Sequence, residues 1–149
     1  MGDSQVARGA CLCGAVRFQV TLPTMFCGHC HCTVCQRAHG AGYVTWFGAG
    51  YSHFELLDET QQLKRYASSE HGTRSFCGTC GSSLFCESTE HPEHIDIVLA
   101  NMQDPIDRKP NSHAYFDCRA DWIIAEDSLV RLGGKTGLEK LPRESSESG

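Results

Sequence analysis

The sequence predicts a mainly β protein that folds around one core and depends on bound zinc for stability. Apolar and polar side chains alternate over residues 16–21 and, apart from Val98, again over 94–99, which is the two-residue period of a half-buried strand. No stretch keeps a helical period over many turns. Ten cysteines in 149 residues, several of them in dense clusters that packing does not require, indicate metal binding.

Short strands are predicted along most of the chain. The first ordered segment is Gly9 to Thr21, and Pro23 ends its strand because proline cannot donate a hydrogen bond to a sheet. Other candidate strands lie between turn residues, over 40–50, 52–57, 62–67, 72–76, 83–86, 94–100 and 113–118. We also predict a helical turn after Cys32, capped by Thr33, and another over 127–132.

One zinc-binding domain is expected over residues 9–132, because a chain of this length can bury a single core of ordinary size. Segments 1–8 and 133–149 are predicted to be flexible termini. The second of these is rich in glycine, serine and charged residues, so it buries too little apolar surface to order itself.

Charge and hydropathy exclude several classes of partner. The formal net charge of −5 disfavours binding to nucleic-acid phosphates, and zinc bound by thiolates makes the balance more negative still. The N-terminus has no apolar run, and no segment reaches the roughly 18 apolar residues that a membrane span requires. We therefore expect a cytoplasmic protein without nucleic-acid or membrane partners, whose thiols stay reduced and available to zinc.

A first zinc site is predicted from two cysteine pairs. Cys77 and Cys80 form a knuckle in which neighbouring glycines let the backbone curl until both thiolates face one tetrahedral ion. Such a site needs two more ligands, and Cys11 and Cys13 can supply them. A site of this kind would join the first strand to the middle of the chain and stabilise the fold.

A second site is predicted within Cys27 to Cys35, and its spacing allows two interpretations. With Cys27 included, four thiolates make a closed structural site. With Cys27 excluded, Cys30, Cys32 and Cys35 leave one coordination position open for catalysis, and the spacing does not choose between these alternatives. The interleaved His29 and His31 are expected at the surface or beside the ligands, because adjacent cysteines compete better for zinc.

An open three-thiolate site suits thiol chemistry. Its ligands already over-neutralise zinc, which is then a weak Lewis acid toward water. A substrate thiol in the remaining position loses its proton near neutral pH yet keeps much of its nucleophilicity. The expected reaction partner is an electrophile such as a small aldehyde.

The cysteine motifs resemble those of the glutathione-dependent formaldehyde-activating enzymes, a family related to centromere protein V. Three blocks carry the resemblance: GACLCGAVRF at 9–18, CHCTVCQR at 30–37 and RSFCGTCGSSL at 74–84. Further matching residues are Gly40, Ala41, Trp46, Asp104, Pro105, His113 and Trp122. The resemblance therefore extends over about 9–130 and includes the predicted zinc ligands other than Cys27.

The resemblance implies a β-tent fold of coiled antiparallel sheets with short helical turns, forming a domain of catalytic type. It assigns Cys11, Cys13, Cys77 and Cys80 to a structural zinc. Cys30, Cys32 and Cys35 correspond to a second, catalytic zinc, whereas Cys27 lies outside the family motif. No further cofactor is expected besides these two zinc ions.

The implied activity is that of a carbon–sulfur lyase, an S-(hydroxymethyl)glutathione synthase that adds glutathione, or a similar small thiol, to formaldehyde. The alternative is a zinc-stabilised module that carries glutathione or contacts other proteins without catalysis. Cys27 distinguishes the two, because a fourth thiolate would close the second site.

Overall fold

The structure, a computed structural model, describes residues 5–142 and is mainly β, as the sequence predicts. Within these residues the strands are, in chain order, β1 Val6–Ala10, β2 Arg17–Thr21, β3 Phe26–Cys30, β4 Val44–Gly50, β5 Phe54–Leu57, β6 Leu63–Ala67, β7 Gly72–Cys77, β8 Ser83–Ser88, β9 His94–Val98, β10 Ser112–Ala114, β11 Val130–Gly133 and β12 Glu139–Lys140. Helical segments are the α-helix α1 Thr33–His39 and the 3-10 turns Tyr51–His53, Leu99–Asn101 and Phe116–Cys118. Across residues 5–142, no helix combines the length and apolar character that crossing a membrane requires.

The chain divides into two compact units, and the first comprises Met1–Cys27 and Thr45–Pro110. It contains an antiparallel sheet with strand order β1-β2-β5 and a run of antiparallel strands in the order β4-β9-β8-β7-β6. Because successive side chains of a strand point to opposite faces of its sheet, every second one points into the core. Phe18, Phe47 and Ile97 are fully buried in this way, each contributing about 1.5–3 kcal/mol relative to an exposed position.

Close packing in this core explains one glycine. The ring of Phe18 lies where a Cβ atom of residue 9 would stand, so only glycine fits opposite it on β1. The same ring meets Phe85 edge to face with 5.0 Å between the ring centroids, an arrangement that aromatic pairs prefer. Strands β1 and β2 are thereby held in register at the start of the chain.

The second unit comprises Gly28–Val44 and Asn111–Gly149. Strand β10 pairs in parallel with β3, where His113 faces His29, and also with β11, where Ser112 faces Val130. Strand β12 pairs antiparallel with β11. Most pairings are antiparallel as predicted, and the two parallel ones bring distant parts of the sequence beside the end of β3.

Each of the segments predicted to be flexible termini contains strand residues. Strand β1 begins at Val6, inside the segment predicted to be flexible, because Arg8 donates backbone and side-chain N–H groups to Asp104 at 2.8 and 3.0 Å. At the other end, β12 lies inside 133–149 and pairs with β11. Residues 1–4 and 143–149 fall outside the described part of the chain. The prediction of one domain over 9–132 stays a prediction.

Two local predictions were wrong. Residues 130–133 form strand β11 rather than a helical turn, because pairing with β10 decides their conformation. The helix after Cys32 is present, but Cys32 itself caps it, with Sγ accepting a hydrogen bond from the Cys35 N–H. The helix ends at Gly40, whose left-handed φ of 59° suits glycine.

Candidate metal centres

A four-cysteine cluster in the first unit brings together the residues predicted for the first zinc site. Its members are Cys11, Cys13, Cys77 and Cys80, and their Sγ atoms all lie within 4.8 Å of one another. The Sγ–Sγ distances are 3.6 Å between Cys11 and Cys13 and 3.8 Å between Cys13 and Cys77. Tetrahedral zinc with Zn–S bonds of about 2.3 Å separates its sulfurs by about 3.8 Å, so the donor set fits this ion.

Two glycine turns shape this four-cysteine cluster. Gly14 and Gly81 adopt φ values of 79° and 80°, and their N–H groups donate to the carbonyls of Cys11 and Cys77 respectively. Backbone N–H groups also point at the sulfurs: Val16 N lies 3.3 Å from Cys11 Sγ, and Thr79 N lies 3.4 Å from Cys77 Sγ. Such donors stabilise a negatively charged thiolate.

The thiols of this cluster differ in how readily they ionise. The Ser82 hydroxyl, together with backbone N–H donors, lowers the pKa of Cys80 to about 5. The backbone donor at Ala15 lowers the pKa of Cys13, but desolvation and neighbouring sulfurs outweigh it and raise that pKa to about 11. One ionised sulfur therefore makes the next one harder to ionise, and a cation removes this conflict.

A three-cysteine cluster in the second unit consists of Cys30, Cys32 and Cys35, whose sulfurs also lie within 4.8 Å of one another. Cys30 ends β3, Cys32 caps α1, and Cys35 is buried in the first turn of that helix with 3% of its surface exposed. The Sγ atoms of Cys35 and Cys30 are 3.5 Å apart. The neighbouring sulfurs of Cys32 and Cys35, together with burial, raise the pKa of Cys30. Three soft sulfur donors at this spacing can hold zinc.

Cys27 is not among the sulfurs of this three-cysteine cluster. It lies on β3 three positions before Cys30, and side chains at odd separation along a strand point to opposite faces. Its side chain is 1% exposed and belongs to the apolar core of the first unit. Burial raises the pKa of its thiol. In the described part of the chain, the sulfurs grouped with Cys30 are those of Cys32 and Cys35, which favours the interpretation with three ligands.

Local sequence patterns do not predict the hydrogen-bond chain beside the three-cysteine cluster, which joins the buried His31 and His113 to the exposed Asp127. His31 Nε2 lies 2.8 Å from His113 Nδ1, and His113 Nε2 lies 3.1 and 2.9 Å from the two carboxylate oxygens of Asp127. His31 is fully buried, so of the two predicted positions, at the surface or beside the ligands, it takes the second. Burial, reinforced by the neighbouring histidines, lowers its pKa to about 4 and keeps the ring neutral at physiological pH.

One signal for the position of His31 was present in the sequence. Neighbouring side chains of an extended segment point to opposite faces, so the ring of His31 points away from the sulfurs of Cys30 and Cys32. Ring and sulfurs can all be buried only if both faces of this segment are covered. The partners of His31 had no such signal, because His113 is 82 residues away and Asp127 follows it by 14. Long-range parallel pairing at β10 brings them together.

These features define a class: a small, mainly β protein with two cysteine clusters that can hold metal ions. The profile of the family described as glutathione-dependent formaldehyde-activating enzyme matches residues 6–118. Because this match spans most of its length, the chain belongs to the glutathione-dependent formaldehyde-activating enzyme family.

Two relatives and one solved structure are similar to this chain. A protein of Halomonas elongata, provisionally named glutathione-dependent formaldehyde-activating enzyme, is 26% identical over 89% of this chain and 97% of its own. An uncharacterized lyase of Schizosaccharomyces pombe is 26% identical over 79% of this chain and 91% of its own. A crystal structure of a Rhodobacter sphaeroides protein is similar with a TM-score of 0.56 and 26% identity, covering 68% of this chain and 92% of that one.

Proposed function

We propose that the protein is a zinc-dependent carbon–sulfur lyase of the S-(hydroxymethyl)glutathione synthase type. It joins glutathione, or a similar small thiol, to formaldehyde or another small electrophile. The observation that carries this proposal is the three-cysteine cluster, which groups Cys30, Cys32 and Cys35 while Cys27 is packed in an apolar core. Tetrahedral zinc held by three protein ligands accepts a fourth ligand from the substrate. The names of the family and of its relatives support glutathione, formaldehyde and lyase chemistry.

The two cysteine clusters have different roles in this proposal. Cys11, Cys13, Cys77 and Cys80 hold a structural zinc, since four sulfurs complete its coordination. Cys30, Cys32 and Cys35 hold a catalytic zinc, which when bound supplies a position where a substrate thiol ionises near neutral pH. The backbone N–H of Cys35 stabilises the charge on Cys32 Sγ at 3.2 Å.

The reaction is an addition with no oxidant or reductant. The thiol sulfur of glutathione forms a bond to the aldehyde carbon, the C=O π bond opens, and the thiol proton ends on the aldehyde oxygen. The protein contributes by holding the sulfur ionised and in place, which replaces a bimolecular encounter in water with an oriented one. The predicted cytoplasmic location would give it access to a reduced thiol.

The test combines metal analysis with exchange NMR of glutathione and formaldehyde. Protein with two zinc ions per chain should interconvert the free thiol and the adduct faster than the uncatalysed reaction does. Cys32→Ala should lose the acceleration, and Cys27→Ala, its matched control, should keep it. An uncatalysed rate with fully zinc-loaded protein would contradict the proposal, and glutathione binding under those conditions would support a carrier instead.

A further inference from the structure

The backbone that joins two ligands of the three-cysteine cluster is held through His31. The His31 N–H donates to the carbonyl of Ala114 at 2.9 Å, and its own carbonyl accepts from Gln36 Nε2 at 2.7 Å. Its ring is fixed by the 2.8 Å contact with His113. Since His31 lies between Cys30 and Cys32, these contacts determine how the two neighbouring sulfurs are presented.

The Asp127 carboxylate determines which atom donates and which accepts in each hydrogen bond of this chain. Partial burial would raise the pKa of Asp127, but hydrogen bonds from His113 and from the Leu129 N–H outweigh burial and lower that pKa, so the carboxylate is ionised. An ionised carboxylate only accepts hydrogen bonds, and His113 must therefore donate from Nε2. In a neutral His113 ring Nδ1 is then the acceptor, and His31 donates to it from Nε2.

The remaining ring nitrogen agrees with this direction. His31 Nδ1 is buried and has no hydrogen-bond partner among the described residues. In the direction given above it carries a lone pair, whereas the reverse direction would leave a buried N–H without an acceptor. An unpaired buried donor is the rarer and costlier of the two arrangements. The ring is packed between Tyr43 and Phe116, with centroid distances of 5.0 and 5.3 Å, which limits its rotation.

We propose that Asp127 and His113 are positioning residues of the three-cysteine cluster, which hold His31 and thereby fix the sulfurs of Cys30 and Cys32 in the geometry that binds metal. This inference rests on the metal centre of the proposed function but not on its reaction. Neither residue belongs to the group of sulfur donors that would hold the metal. Their effect is to prepare the ligands before metal arrives, so that less conformational freedom is lost on binding.

The test measures metal binding rather than turnover. Co²⁺ is titrated into metal-free protein in competition with a chromophoric chelator, and the thiolate-to-metal absorption is recorded for each cysteine cluster. Asp127→Ala and His113→Phe should weaken binding at the three-cysteine cluster by about tenfold or more and alter its d–d bands. Asp127→Asn keeps an acceptor oxygen and should recover much of the lost affinity. Glu126→Gln removes a neighbouring exposed charge and is the matched control.

The four-cysteine cluster is the internal standard, because its affinity should remain unchanged in every one of these variants. Wild-type affinity and spectra at the three-cysteine cluster in both Asp127→Ala and His113→Phe would overturn the inference. A wild-type protein that binds a single metal ion would overturn it together with the proposed metal centre. Two bound ions without any acceleration of the glutathione reaction would contradict the proposed reaction alone.

Discussion

The two cysteine clusters use the same ligand type in different surroundings. The four-cysteine cluster joins the turn before β2 to the end of β7, and its backbone donors come from the two turns themselves. The three-cysteine cluster is contained within 30–35, and its surroundings include a buried histidine chain supplied by residues far along the sequence. In the proposed assignment, the closed site takes its backbone donors from its own two turns, whereas the open site draws on side chains far along the sequence.

The largest expected effect separates the two clusters by their contribution to stability. Cys77→Ala removes a fully buried ligand of the four-cysteine cluster and with it the link between two distant segments. Loss of the metal site should lower the free energy of unfolding by about 5 kcal/mol or more. Urea denaturation of zinc-loaded protein measures the change. A variant as stable as the wild type would show that this cluster is not structural.

The next effect concerns activity. Cys35→Ala removes one of three ligands, so the protein should keep its fold and one zinc ion but lose the acceleration of adduct formation. Because Cys35 is buried, a loss of about 1–2 kcal/mol in stability is also expected. Zinc content, circular dichroism and exchange NMR on one preparation measure all three. Retained activity with one zinc ion would assign catalysis elsewhere.

A smaller effect is expected from Cys27→Ala. The side chain packs in the apolar core of the first unit, so its truncation should cost about 1 kcal/mol in stability and leave two zinc ions bound. Activity should be unchanged. If this variant lost the second zinc ion, the three-cysteine cluster would have a fourth protein ligand and the two clusters would no longer differ in kind.

Much of this arrangement could be predicted from local sequence. Alternating side chains mark β9, and the glycines beside Cys77 and Cys80 mark the knuckle, because both signals lie within a few residues. Strand β1 gave no such signal, since its buried positions are the small Ala7 and Gly9. Pairing along β10 was also beyond local inspection, and with it the contact between His31 and His113. Pairing between short strands that are far apart in the sequence cannot be predicted from composition or from the period of apolar residues.

The smallest effect is a difference in the pH at which each cluster releases its metal. Neighbouring sulfurs and burial raise the pKa of Cys30 in the three-cysteine cluster. In the four-cysteine cluster the pKa of Cys13 is also raised, to about 11, but hydrogen bonds from Ser82 lower that of Cys80 to about 5, and a fourth sulfur adds to the hold on the metal. A thiol with a raised pKa holds its proton to higher pH, so protons compete with the metal more strongly there. On acidification of zinc-loaded protein, the three-cysteine cluster should therefore empty at a higher pH than the four-cysteine cluster. Zinc release followed with a metallochromic dye would show two steps, and Cys35→Ala should remove the one at higher pH. If Cys35→Ala instead removed the release step at lower pH, the more weakly held metal would belong to the four-cysteine cluster.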